Sequence, residues 1–206
     1  MIELISDRVA HVPQPAGGRP PGVAAIPARA QSEAKLKALN VRAITLYNAG
    51  KYAEALSLQR TLTFAIEKAE TAKIGKPGPQ TAAALGSVAW YALFARQFSE
   101  ALSASERAHA LAPDLLWPET NRAHALLFLG RVDEARALYF RHKGKHETDK
   151  LWEDVIEEDF GALRKAKVDH IAFDAIIKAL GIDRSVPKAR IDALAKQVWQ
   201  LHRDAK

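Results

Sequence analysis

Residues 43–56, AITLYNAGKYAEAL, recur in altered form as residues 89–102, AWYALFARQFSEAL, and again as residues 123–136, AHALLFLGRVDEAR. In each stretch an apolar run precedes a turn position, Gly50, Arg96 or Gly130, and a Glu-Ala pair opens the next run. Apolar residues three and four apart are typical of amphipathic helices, and glycine often ends a helix in the left-handed conformation. The sequence therefore predicts three copies of a helix–turn–helix hairpin.

The spacing of these copies indicates a repeat protein. From Ala101 to Ala135 is 34 positions, whereas from Ala55 to Ala101 is 46, so the first copy has a longer second helix. That helix is predicted to end at the break GKPGP, residues 75–79. A fixed period of this length is characteristic of stacked helical repeats.

These stretches resemble the tetratricopeptide repeat (TPR) family, which has a small residue in helix A, a turn glycine, an aromatic residue two positions on, and Glu-Ala in helix B. Pro113 lies where the family places its repeat-closing proline. The long first repeat resembles those of kinesin light chain and its bacterial relatives, although Arg42 and Arg122 occupy positions that are usually leucine and Arg96 replaces a turn glycine. The resemblance covers about residues 36–142 and implies an all-α, right-handed solenoid of about three helix pairs.

The chain divides into three regions by composition. Residues 1–30 hold 5 of the 10 prolines and no helical period, so we expect a flexible Pro/Gly-rich leader, followed by the repeats in residues 31–145. Helical apolar patterns at 151–163, 171–180 and 191–201 predict that residues 146–206 form helices packing on or capping the repeats, and no run predicts a strand.

Ala28-Arg29-Ala30 has the small-x-small form of a signal-peptidase site, but prolines and glycines interrupt the segment before it. We therefore expect a cytoplasmic protein, with a periplasmic or secreted location as the alternative if the chain is processed at Ala30.

The TPR resemblance also implies a concave surface lined by helix A residues. An apolar and aromatic centre with an amide and lysine rim would suit a helical or extended peptide of a partner protein. For Phe94 and Phe128 the alternative is packing in the core. Lys37, Asn40, Asn121 and Arg122 offer only part of the carboxylate clamp found in some TPR domains. The predicted partner-binding groove comprises Lys37, Asn40, Ile44, Tyr47, Asn48, Trp90, Phe94, Trp117, Thr120, His124 and Phe128.

No pattern in the sequence predicts catalysis. Nucleophile-elbow, phosphate-loop and zinc-protease motifs are absent, and the chain has no cysteine. His142 and His146 have helical metal-ligand spacing, but Gly144 and two lysines lie between them. The acidic run 153–159 is interpreted as a solvated helix face. We expect no enzymatic activity, no cofactor and no metal.

The excess of basic residues behind the net charge of +6 lies mostly in residues 31–80 and around 141–145. A basic nucleic-acid-binding ridge is a secondary alternative, because acidic residues are interleaved with its members Arg131, Arg136, Arg141, Lys143 and Lys145. No apolar run is long enough to span a bilayer. The sequence favours a protein-binding adaptor or scaffold, bacterial in style. Its main alternative is a self-associating module that buries Trp199.

Overall fold

The protein is predominantly helical. The computed structural model describes residues 28–147 and 149–182. Residues 1–27 of the leader predicted for residues 1–30, and the helical pattern at 191–201, lie outside these ranges, whereas residues 28–30 belong to the first helix. The described residues form eight helices and two short strands: α1 Ala28–Asn48, α2 Tyr52–Ile74, α3 Pro79–Phe94, α4 Phe98–Leu111, α5 Trp117–Phe128, α6 Val132–Arg141, β1 His146–Glu147, β2 Lys150–Leu151, α7 Trp152–Lys165 and α8 Phe173–Leu180.

The turns that close α1, α3 and α5 have the same geometry. Gly50, Arg96 and Gly130 have φ angles of 74°, 58° and 77°. In each turn the amide of this residue donates to the carbonyl three residues back and the next amide to the carbonyl five back, with N···O distances of 2.8–3.1 Å. This is the Schellman motif. Arg96 adopts it at a cost of about 1–2 kcal/mol for a residue with a Cβ.

Small residues allow the helices to pack closely. Each hairpin buries one alanine from its first helix and one from its second, all at 0% exposure: Ala43, Ala55, Ala89, Ala101, Ala123 and Ala135. The consecutive pairs α2–α3, α3–α4, α4–α5 and α5–α6 are in contact, and α3 also contacts α5. Because the alanine side chains are small, the helix backbones can approach each other and make additional dispersion contacts.

Glu70 on α2 fixes the start of α3. Its carboxylate accepts hydrogen bonds from the amides of Gly78, Gln80 and Thr81 at 2.9–3.0 Å, and from the Thr81 hydroxyl at 2.6 Å. Burial opposes ionisation of Glu70, but these hydrogen bonds outweigh it and lower the pKa of the carboxyl. The amides of a helix N-terminus lack internal partners, so this carboxylate satisfies them.

The C-terminal part of the described chain adds a hairpin and two helices. β1 and β2 pair antiparallel, with His146 opposite Leu151, so the expectation of no strand is wrong at these four residues. The predicted apolar stripes at 151–163 and 171–180 form α7 and α8, and their buried members join the same core as the first six helices. Among the described residues, no helix is long and apolar enough to cross a membrane.

Candidate partner-binding surface

One face of α1 presents polar and apolar side chains together. Lys37 and Asn48 are exposed, while Asn40, Ile44 and Tyr47 are half-buried. Their spacing of three and four residues places them along one side of the helix. An ammonium group, two amides and a branched apolar side chain are therefore available side by side.

Trp90 continues this face onto α3. The Tyr47 ring stacks on Tyr91 at 5.1 Å, and Trp90 is close enough to the Tyr47 hydroxyl to offset part of the effect of burial on its pKa. Trp90 is half-buried and packs edge-on against Phe94 at 4.7 Å, whereas Phe94 is only 4% exposed. Burial raises the pKa of Tyr47 well above its ordinary value and that of Tyr91 to about 12, so both hydroxyls stay neutral. The indole is thus held in one position with part of its ring accessible.

Trp117 and Thr120 pack between helices. The Trp117 ring lies against Gly86 of α3, where an added Cβ would come within 2.3 Å of it. The Asn121 amide donates to the Gly86 carbonyl at 3.2 Å, and the Thr120 hydroxyl donates to the Trp117 carbonyl at 2.8 Å. Thr120 is 1% exposed. These residues join α5 to α3, and the Trp117 side chain stays half-buried between them.

His124 is fully buried by α7. Its Nδ1 lies 2.8 Å from the Tyr139 hydroxyl and its Nε2 lies 3.1 Å from Oδ2 of Asp159. Phe160 lies against the same imidazole, with the ring centroids 5.1 Å apart. Asp159, expected on a solvated face, is instead 3% exposed, because α7 turns this carboxylate toward His124. His124 therefore joins α5, α6 and α7 rather than facing a partner.

Phe128 is covered from two sides. Its ring stacks on Phe98 of α4 at 4.4 Å and meets Phe173 of α8 at 5.8 Å. The His170 ring, in the α7–α8 connection, lies 5.6 Å away. Phe94 therefore lies in the core, whereas Phe128 packs against the core and stays half-buried.

The predicted groove thus divides into two parts. Phe94, Thr120 and His124 are buried and do not line an accessible surface. Trp117 and Phe128 each pack against neighbouring helices but stay half-buried, as Trp90 does. The exposed and half-buried side chains of α1, together with Trp90 of α3, form a separate face, which comprises Lys37, Asn40, Ile44, Tyr47, Asn48 and Trp90 and is here called the α1–Trp90 surface.

A second buried polar cluster surrounds Glu119 of α5, which is 1% exposed. One of its oxygens lies 3.3 Å from Nδ1 of His109 and 3.5 Å from Arg122, and the other lies 3.8 Å from Nε2 of His142. Burial lowers the pKa of His142, and Lys145 adds to this effect. Arg122 and Asn121, two residues of the partial clamp, are thus engaged within the fold.

The remaining candidates for chemistry are also engaged in the fold. Within residues 28–147 and 149–182, no group of three or more acidic or histidine side chains is arranged to hold a metal ion. Arg131 forms a two-point hydrogen bond to Glu134, at 2.7 Å each, and Arg136 lies over the Phe140 ring at 5.9 Å. Two cations of the predicted basic surface therefore have partners inside the protein.

Comparison of the chain with protein-family models, curated proteins and solved structures finds no match. The function is therefore inferred from the geometry of the chain itself. The residues that sequence reasoning missed are Glu70, Glu119 and Asp159, all acidic and all buried. Their sequence context is that of ordinary solvated helix faces, so no local signal distinguishes them.

Proposed function

We propose that this protein is a TPR-type adaptor that binds a peptide or helix of a partner protein on the α1–Trp90 surface. In this proposal the three hairpins are repeats of one solenoid, and α7 and α8 close its C-terminal end. The identical Schellman turns at Gly50, Arg96 and Gly130 support the repeat assignment, as do the six buried alanines. The observation that carries the binding site is the half-buried Trp90 beside the amide-lined face of α1.

The chemistry of this surface favours a peptide over a small molecule. A partly exposed indole held by neighbouring rings supplies a large apolar contact at little entropic cost, as hot-spot aromatics do. The amides of Asn40 and Asn48 can bind backbone groups of an extended or helical segment, and Ile44 adds an apolar contact. Lys37 favours a segment with an acidic residue near one end.

A partner cannot bind by displacing helix α7 from the fold. It buries Trp152, Val155, Ile156, Phe160 and Leu163, none more than 2% exposed. Together these side chains contribute on the order of 10 kcal/mol, which is comparable to the whole stability of a typical domain. Micromolar binding of a peptide supplies only about 8 kcal/mol. A partner therefore binds the surface that α7 leaves open.

The test compares two isoleucines of similar chemistry. Ile44→Glu changes the α1–Trp90 surface, whereas Ile74→Glu changes an isoleucine that is 50% exposed at the end of α2. Proteins captured from the native source by the wild type and by each variant are identified by mass spectrometry. We expect a captured protein that is lost with Ile44→Glu and retained with Ile74→Glu.

Trp90→Ala provides the second arm, with circular dichroism as the check on folding. Reduced capture with unchanged helicity supports the surface. A captured set that is the same for wild type, Ile44→Glu and Trp90→Ala contradicts it.

A further inference from the structure

A groove runs between α2 and α4 on a part of the protein that the adaptor proposal does not use. It contains an open cavity of about 300 Å³. Leu85 and Val88 of α3 lie at its base, and Phe64 of α2 forms one wall. Phe64 is 70% exposed although it lies in the middle of a 23-residue helix. On the opposite side the groove is lined by the small residues Ser103 and Ala104 of α4.

Two ion pairs cross the groove, one at each end of the cavity. Arg60 of α2 donates to Glu100 of α4 at 2.7 Å, and Arg107 of α4 pairs with Glu67 of α2. Both pairs join residues 40 positions apart, so α2 and α4 run in the same direction. The pairs are seven residues apart on each helix, a distance of about 10 Å at 1.5 Å per residue.

The two ion pairs have opposite polarity. At the first, the cation is on α2 and the anion on α4; at the second, the anion is on α2 and the cation on α4. The four charges therefore alternate around Phe64. A two-fold axis that lies over the groove and runs parallel to the helices would place α2 of one copy over α4 of the other. Arg60 of each copy then faces Glu100 of the other copy, and Glu67 faces Arg107. The surface is thus electrostatically complementary to a second copy of itself.

We propose that the α2–α4 groove is a homodimer interface, in which Phe64 of each protomer inserts into the cavity of its partner. An axis parallel to the helices brings each Phe64 over Ser103 and Ala104 of the other chain, where the small side chains leave space. An isologous contact of this kind fills both cavities and buries both Phe64 rings. This interface is separate from the α1–Trp90 surface. Experiments that contradict the dimer therefore leave the adaptor proposal untouched, and the reverse also holds.

Sedimentation equilibrium of the full chain over a range of concentrations tests the proposal. We expect a monomer–dimer equilibrium for the wild type. Phe64→Ala should weaken dimerisation by roughly a hundredfold or more, because two rings are lost from each dimer. Ser103→Arg, which fills the cavity from the opposite helix, should have a similar effect, while Val132→Glu on α6 should leave the equilibrium unchanged.

Double charge exchange tests the direction of the axis. Arg60→Glu with Glu100→Arg keeps the ion pair within each protomer but makes α2 negative and α4 positive at both ends of the cavity. With the axis parallel to the helices, opposite charges still face each other and the dimer persists. With the axis across the helices, like charges face each other and the dimer is lost, which would overturn the proposed arrangement.

Two further outcomes would overturn the interface itself. One is a wild-type monomer at every concentration, which would leave the groove free for a different protein. The other is a dimer that resists both Phe64→Ala and Ser103→Arg but dissociates with Trp199→Ala, which would assign self-association to the C-terminal segment. Circular dichroism of each variant verifies that loss of dimer is not loss of fold.

Discussion

Nε2 of His124 lies 3.1 Å from Oδ2 of Asp159, and this contact joins α5 to α7 across 35 residues of sequence. His124 is 0% exposed and Asp159 is 3% exposed. A buried polar group without a partner costs far more than the same group in water. The pair therefore specifies how α7 packs on the first six helices.

Asp159→Ala should destabilise the protein by at least about 1–3 kcal/mol, because it leaves the His124 nitrogen buried without an acceptor. Asp159→Asn has nearly the same shape and keeps an oxygen toward the imidazole, so its loss should be smaller. Urea denaturation followed by circular dichroism measures both. Equal midpoints for wild type and Asp159→Ala would contradict a structural role for this contact.

Gly86→Ala should lower the free energy of unfolding by about 1–3 kcal/mol through overpacking. The added methyl would lie 2.3 Å from the Trp117 ring. Gly161 in α7 is the matched control, since an added Cβ there meets nothing within 4 Å. Gly161→Ala should instead stabilise the protein by about 0.5–1 kcal/mol. Thermal unfolding of the two variants should give shifts of opposite sign; shifts of the same sign would show that Trp117 does not lie against Gly86.

Glu70→Ala should destabilise the junction of α2 and α3 by about 1–3 kcal/mol. The substitution removes the acceptor for the amides of Gly78 and Thr81 and for the Thr81 hydroxyl. Glu54→Ala, on the exposed side of the same helix, removes only a surface contact to Lys51 at 3.7 Å and should change stability little. Hydrogen exchange should locate the loss of Glu70→Ala in the first turn of α3. Uniform exchange changes, or none, would argue against this capping role.

Glu147 should make stability depend on pH. Burial raises the pKa of its carboxyl from 4.5 to about 7, the charge of Asp159 adds to this, and the Trp117 amide offsets part of it. The folded protein then holds this proton more tightly than the unfolded chain, so the stability present below pH 4.5 is lost as pH rises through about 7.

Glu147→Gln should remove this dependence. The variant should gain roughly 1–3 kcal/mol over the wild type between pH 5 and pH 8. Urea denaturation at both pH values gives the difference, with exposed Glu54→Gln as the matched substitution. A wild type and a Glu147→Gln variant that respond alike to pH would show that Glu147 ionises normally in the folded state.

The hairpins could be predicted from sequence because their signals are local. Gly50 and Gly130 follow apolar helical runs, and both adopt the left-handed conformation that ends a helix. Arg96 shows that the repeat pattern carries more information than residue type, since the same turn forms there with φ of 58°. The apolar stripes of α7 and α8 were likewise predictable from their period.

The candidate surface was predictable only in part. The accessible residues on α1 follow from helical spacing alone, and Trp90 follows from its equivalent place on α3. His124 and Phe128 have the same local pattern, yet Asp159 and Phe160 pack on His124, and Phe173 packs on Phe128, from 35 to 45 residues later in the chain. Periodicity shows that a side is apolar or mixed, but it cannot show which later segment packs there.

The sequence by itself determined where helices begin and end, because backbone turns and amphipathic period are properties of neighbouring residues. Only the tertiary structure decided which helix faces remain open, since that depends on how distant segments compete to bury apolar area. It also decided that Asp159, Glu119 and Glu70 lie inside. A carboxylate is stable there only when the fold brings donors to it, and for Asp159 and Glu70 those donors come from a different part of the chain.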